Sequence, residues 1–254
     1  MDKPTDLSNR LRNYFFSVRR KFDRKLRARF GYRVPVIRGL YLKKSNFGLR
    51  GIDKKIRDFV GTARGFYVEL GANDGVSQSN TLDLEWHHGW RGILIEPVQE
   101  NFEKLLINRS SGRNKLFRAA CVSSDFKGDS LTMVTSGLMS TAIGLDSDVE
   151  DPIHHAAGNQ MPMFQTVPAR TLTSVLDENG APAVMQLLSI DVEGAELEVF
   201  KGLDLERYRF EWIVAESRSI PRLQGYLAPY GYSLEKQLTE HDFLFRGPGE
   251  PDAD

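Results

Sequence analysis

Two strand ends constrain this chain more than any other feature. The run Phe66-Tyr67-Val68-Glu69-Leu70 enters a glycine turn, Gly71-Ala72-Asn73-Asp74-Gly75, and a second apolar run, Gly92-Ile93-Leu94-Ile95, ends in Glu96-Pro97. In a parallel sheet this layout marks a nucleotide-type site. Glycines let the backbone approach the ligand, and the acid accepts hydrogen bonds from ribose hydroxyls. The turn is spaced Gly71-x-x-x-Gly75 rather than G-x-G-x-x-G, and Glu69 stands two residues before it. A pyrophosphate would be repelled there, which counts against a dehydrogenase. A phosphate-free cofactor with a cationic amino group and a sulfonium, S-adenosylmethionine, fits better.

Strand-like and helix-like segments alternate after Gly65. The patterning predicts strands over 66–70, 92–96, 116–121, 131–134, 186–190, 212–216 and 242–246, with helices over 79–88, 98–108, 172–178, 193–200 and 221–229. Alternation of this kind implies an α/β fold, a mostly parallel sheet with helices on both faces and ligands at the carboxyl ends of the strands. Tyr232–Gln237 and Phe243–Arg246 flank a short polar turn and predict a C-terminal antiparallel hairpin. The stretch 136–167 is weakly periodic and reads as a lid or substrate loop.

The formal net charge is zero but unevenly distributed. Residues 1–60 hold 18 Lys or Arg against 5 Asp or Glu, and residues 61–254 hold 16 against 29. The chain therefore divides into a basic arm and connector (1–60), a domain (61–248) and a short tail (249–254). Within 9–30, Leu11, Tyr14, Phe15, Val18, Phe22, Leu26 and Phe30 recur at helical spacing among nine basic residues. Such a helix suits an anionic membrane surface, or a seam with the domain or a second subunit in a homo-oligomer. There is no run of 18 apolar residues and no apolar signal core, and Cys121 is the only cysteine. These features predict a cytoplasmic protein, peripheral on the membrane if the arm binds lipid. An acidic domain argues against nucleic acid as partner, although an RNA methyltransferase using the arm remains an alternative.

Two further clusters sit at predicted strand ends. Ala119-Ala120-Cys121 offers small side chains beside a purine, or ordinary packing. In Leu187-Leu188-Ser189-Ile190-Asp191-Val192-Glu193-Gly194-Ala195-Glu196, Asp191 ends a strand where cofactor and acceptor would meet, while Glu193 and Glu196 suit a helix N-terminus.

Together the segments FYVELGANDG, GWRGILIEPVQENFEKL, RAACVSS, VPARTLTSVL and LLSIDVEGAELEVFKGL resemble the FkbM-type methyltransferase family over about Gly65 to Phe245. The resemblance implies a Rossmann-like class I methyltransferase fold that methylates a hydroxyl on a sugar, glycolipid or polyketide-like small molecule. It places Glu69, Gly71, Asn73 and Gly75 in the cofactor loop, with Ala72 and Asp74 between them, Glu96 on the ribose, and Asp191 at the start of the DVEG motif. A fold kept without turnover is the other alternative.

Methylating an alcohol calls for a base or a metal. Among the five histidines, His155 lies in the predicted lid and His241 in the hairpin turn. Asp191 and Glu216 would end adjacent strands and could hold Mg²⁺, unless Glu216 pairs with a nearby base such as Arg218.

Overall fold

The structure is a computed structural model and describes residues 47–110, 112–136, 139–157 and 161–249. The predicted helix over 9–30 lies outside the described residues. In chain order the elements are α1 (Ile52–Val60), β1 (Phe66–Leu70), α2 (Leu82–His88), β2 (Arg91–Ile95), α3 (Gln99–Arg109), β3 (Lys115–Phe117), β4 (Ala120–Cys121), β5 (Ser130–Ser136), β6 (Met139–Ala142), α4 (Pro152–Ala157), β7 (Met163–Arg170), α5 (Leu172–Glu178), β8 (Val184–Ile190), α6 (Glu196–Lys201), β9 (Arg209–Glu216), α7 (Ile220–Leu227), β10 (Ser233–Gln237) and β11 (Asp242–Arg246).

Seven strands form the main sheet in the order β10-β11-β9-β8-β1-β2-β3. From β9 to β3 the pairing is parallel, while β11 runs antiparallel to β9 and β10 antiparallel to β11. The predicted Rossmann-like architecture and its terminal hairpin are therefore present.

Period-two alternation explains why the sheet is buried on both faces. On adjacent strands, Val68, Ile93 and Leu188 point into one core with Leu172, Val199 and Phe200. Tyr67, Leu94 and Leu187 point the other way, into a core with Ile52, Ile56 and Trp90. Helix ends follow local chemistry. Thr171 caps α5 by accepting from Ser174 N, and Gly89 closes α2 in the left-handed conformation that glycine tolerates.

Four expectations are corrected. The strand expected over 116–121 is two elements: β3 stays in the main sheet, whereas β4 turns out of it to pair with β7. The strand expected over 131–134 is β5 and belongs to a second, four-stranded sheet, β4-β7-β5-β6. The stretch 136–167 is not a structureless loop. It holds β6, α4 and the first half of β7, whose alternating burial is interrupted by exposed Met163 and Phe164 and so hides the strand period. The helix expected from 193 begins at Glu196, because Glu193 and Gly194 take positive φ (56° and 103°) and cannot continue a right-handed helix.

Candidate active site

Chain direction reverses its progress across the sheet between β1 and β8, and a crevice opens beyond the carboxyl ends there. Gly71, Ala72, Asn73, Glu96, Ala120 and Asp191 are among the residues lining it. Gly71 N and Ala72 N both donate to the Ile95 carbonyl at 3.1 Å, which pins the turn after β1 to the end of β2. Gly71 has φ +74°, and a Cβ there would stand 1.8 Å from the Asp191 carbonyl oxygen. Only glycine lets the two strand ends close to this distance.

Glu96 is nearly fully buried and fixed in place. Its carboxylate accepts from Asn73 N and from Val98 N, each at 2.9 Å. Burial pushes its pKa up to about 7, against the opposing pull of the Val98 and Asn73 amides. Pro97 lines the cleft beside it, and Ala119, Ala120 and Cys121 form a wall of small side chains. Burial pushes the Cys121 thiol up to about 12, so that it stays neutral and inert at physiological pH.

Three residues expected in the cofactor loop stand behind it. Glu69 accepts from Ser79 Oγ (3.0 Å), Asn80 N (3.0 Å) and Thr81 Oγ1 (2.6 Å), and does not line the cleft. Asp74 folds back on Val76 N and Ser77 N at 2.9 and 2.7 Å, as Asp does in turns. Gly75, at φ +77°, clears the side chain of Arg109, since a Cβ would lie 2.5 Å from Arg109 Cγ. Three non-glycine residues of the cleft, Asn73, Gln78 and Glu193, hold positive φ of 47°, 61° and 56°. Strain of this kind gathers at ligand sites.

At the mouth, carboxylate oxygens of Asp191, Glu193 and Glu216 lie within 4.8 Å of one another. The Asp191 carboxyl is held well above the usual carboxylate range, first by surrounding protein and then by Glu216, Glu193 and Glu196. Water reaches Asp191 through the open cleft, so the neighbouring carboxylates carry most of the effect. Burial and Glu193 also raise Glu216, while Arg218 lowers it. Arg218 Nη2 is 3.6 Å from Glu216 and 3.9 Å from Glu193. The expectation that Glu216 could pair with Arg218 is thus met.

His155, on α4, meets Glu193 through Nε2 at 2.9 Å. His241 is half-buried in the β10–β11 turn, with Glu240 3.8 Å away, and does not line the cleft. Its carbonyl instead accepts from Ser217 N and ties that turn to the end of β9. Burial raises Glu196 to about 8, although it accepts from Val192 N and Gly194 N, so it shapes the DVEG turn from below.

Sequence reasoning missed Gln78, Ser79, Asn101, Met133 and Ser140 as cleft residues. Met133 and Ser140 reach it only because β5 and β6 form a sheet, and no motif marks them. Glu193 read as a helix-start residue; its pairing with His155 across 38 positions has no local signal.

The cleft holds carboxylates of Glu96, Asp191 and Glu193 and no Lys, Arg or His among its described residues. That donor set fits S-adenosylmethionine, which is cationic and carries no phosphate. It fits a divalent ion less well, since the Arg218 guanidinium already lies against two of the three carboxylates at the mouth.

The fold is that of the class I S-adenosylmethionine-dependent methyltransferases, and the donor set of the cleft suits that cofactor. A family model described as the methyltransferase FkbM domain matches residues 69–245, and the chain belongs to that family. Similar solved structures include an FkbM methyltransferase from Methylobacillus flagellatus, 14% identical with a TM-score of 0.42, covering 72% of this chain and 43% of its own. The chain thus spans less than half the length of that relative. A SAM-dependent methyltransferase from Aquifex aeolicus is 8% identical (TM-score 0.38; 77% of this chain, 88% of its own). The N-terminal domain of human METTL16 is 11% identical (TM-score 0.42; 78% and 69%). No curated protein matches the chain.

Proposed function

We propose that the enzyme is an O-methyltransferase acting on a hydroxyl of a sugar, glycan, glycolipid or similar small molecule. The observation that carries this reading is the His155–Glu193 pair at the cleft mouth, beside Asp191. S-adenosylmethionine supplies an electrophilic methyl group on sulfur. Glu96 would hold the ribose hydroxyls, and Gly71 to Asn73 would border the amino-acid end. Glu193 accepts from His155 Nε2–H, which leaves the Nδ1 lone pair to take the acceptor's proton. With cofactor and acceptor bound, His155 Nδ1 would be the atom that takes the acceptor's hydroxyl proton. Asp191 would orient the acceptor oxygen, and alignment of this kind supplies much of the acceleration.

The close set of Asp191, Glu193 and Glu216 oxygens supports a second reading, in which these three carboxylates would hold Mg²⁺ and the ion would supply a Lewis acid for the acceptor hydroxyl. The test is transfer of labelled methyl to a panel of glycans, with the product linkage read by NMR and the assay repeated in EDTA. An O-methyl ether formed fully in EDTA supports the histidine route, and activity lost in EDTA and restored by Mg²⁺ supports the metal. Methyl groups found only on nitrogen or carbon would reject the O-methyl reading. The aromatic and basic stripe over 9–30 supports a tether to an anionic membrane, where a lipid-linked acceptor is held.

A further inference from the structure

Behind the cofactor loop lies an arginine with no surface. Arg109, at the end of α3, is 0% exposed, and every N–H of its guanidinium is used. Nε donates to Glu85. Nη1 donates to the Gly75 carbonyl at 2.9 Å and to Ser79 Oγ at 3.1 Å. Nη2 donates to the Tyr67 hydroxyl at 2.7 Å and to Thr81 Oγ1 at 3.0 Å. Glu69 lies 3.7 Å from Nη1 and accepts from the same Ser79 and Thr81. Asn114 closes the ring from the far side, donating to Glu85 at 2.7 Å and accepting from Gly92 N at 3.1 Å. Next to Arg109, Asn108 Nδ2 donates to the Asp74 carbonyl at 2.7 Å.

A buried ionic network of this size is a weak source of stability, because dehydrating the charges offsets their attraction. What it does supply is shape. Its bonds to Asp74, Gly75, Ser79 and Thr81 bracket a segment that holds Gly75 and Gln78 at positive φ, with Asn73, also at positive φ, directly before it. The cleft takes Asn73, Ser77, Gln78 and Ser79 from that same loop. Without the clamp the left-handed residues would relax, and the loop would have to be ordered again by each ligand that binds.

We propose that Arg109 and Asn108 are positioning residues that hold the 71–81 loop in its binding-competent shape, with Glu69 and Glu85 as counter-charges. Neither residue lines the cleft. The proposal rests on reading that loop as the cofactor loop.

Calorimetric titration with S-adenosylhomocysteine tests it, together with steady-state kinetics on Asn108→Ala, Arg109→Lys and Leu227→Ala. Leu227 is a fully buried core residue of α7, so that variant reports destabilisation alone. Asn108→Ala loses one neutral hydrogen bond and should bind roughly 3- to 10-fold more weakly. Arg109→Lys, which keeps the charge but not the fork, should lose more. In both, KM for S-adenosylmethionine should rise while kcat stays within about twofold, since the lost bonds act before the chemical step. Leu227→Ala should melt earlier with unchanged affinity. Unchanged affinity in folded Asn108→Ala and Arg109→Lys overturns the proposal, as does an equal loss in Leu227→Ala. If Arg109→Lys does not fold, Asn108→Ala decides alone. Glu96→Ala separates the two readings. If it too binds normally, the cofactor-site assignment fails. If it alone weakens binding, only the clamp fails.

Discussion

Glu96 carries two opposed pH effects. Its folded pKa of about 7 lies above the ordinary carboxylate value of 4.5 because burial disfavours the charge. The folded apo state therefore binds this proton more tightly than the unfolded chain. Its contribution to stability is present at low pH and is lost as pH rises from about 4.5 to 7. Glu196, raised to about 8, extends the same loss upward. Thermal melts of the apo protein should fall over that range, and the fall should be shallower in Glu96→Gln. Ligand binding runs the other way, since ribose hydroxyls donate to the ionised carboxylate. Affinity for S-adenosylhomocysteine should drop by about tenfold per pH unit below 7 and level off above it. Loss of the charge-assisted bonds in Glu96→Ala should weaken binding roughly 10- to 100-fold at pH 8. A pH-independent Kd and an unaltered Glu96→Ala titration would contradict the assignment. Asp191 offers a second contrast at this scale. Three acidic neighbours repel it, so Asp191→Asn should hold or raise the melting temperature while turnover falls by about 10²- to 10⁴-fold. Early melting with normal activity would mean that Asp191 only caps the DVEG turn.

Among the elements, the junction of β1 with β8 is the most exacting. Gly71→Ala asks an alanine to hold φ +74° with its Cβ 1.8 Å from a backbone oxygen. The strand ends must part, at a cost of about 2–3 kcal/mol. A fall in melting temperature of roughly 4–12 °C is expected, with cofactor binding lost even at temperatures where the variant is folded. Calorimetry on the folded variant checks the second half. This junction was legible in the sequence because its signals are local: short apolar runs, a glycine turn after β1, and Asp191 directly after β8. The same holds for β2, β8, β9 and the C-terminal hairpin. The small sheet was not legible. Its strands pair across long separations, such as Met133 with Gln165, and its outer residues Met163 and Phe164 are apolar but exposed, which erases the alternation that marks a half-buried strand. Glu69 shows a subtler failure. A carboxylate before a glycine turn suggested a ligand contact, but the partners that hold it, Ser79, Thr81 and Arg109, lie 10 to 40 residues downstream.

For the whole molecule, the decisive contrast is between an acidic catalytic unit and a basic N-terminal stretch. The cleft holds the carboxylates of Glu96, Asp191 and Glu193, and Glu216 joins the last two at its mouth beside one guanidinium, so the catalytic unit gains nothing from approaching an anionic surface. Residues 1–60, with 18 basic side chains against 5 acidic ones, have the opposite tendency. Each basic residue near an anionic bilayer contributes about 1 kcal/mol before screening, and the aromatic stripe of Phe15, Phe22 and Phe30 would add apolar burial. Flotation of the intact protein should therefore require anionic lipid, weaken as salt rises and disappear when residues 1–33 are removed. Solution methyl transfer should survive that deletion, because the core that receives Ile52 and Ile56 begins well after it. RNA would also respond to salt, so the same titration with RNA in place of vesicles is the necessary comparison: steep salt-dependent RNA binding and no flotation would assign the arm to nucleic acid. A deletion that destroys the fold or a dimer, in a protein indifferent to vesicles, would mean that the stripe packs on protein instead.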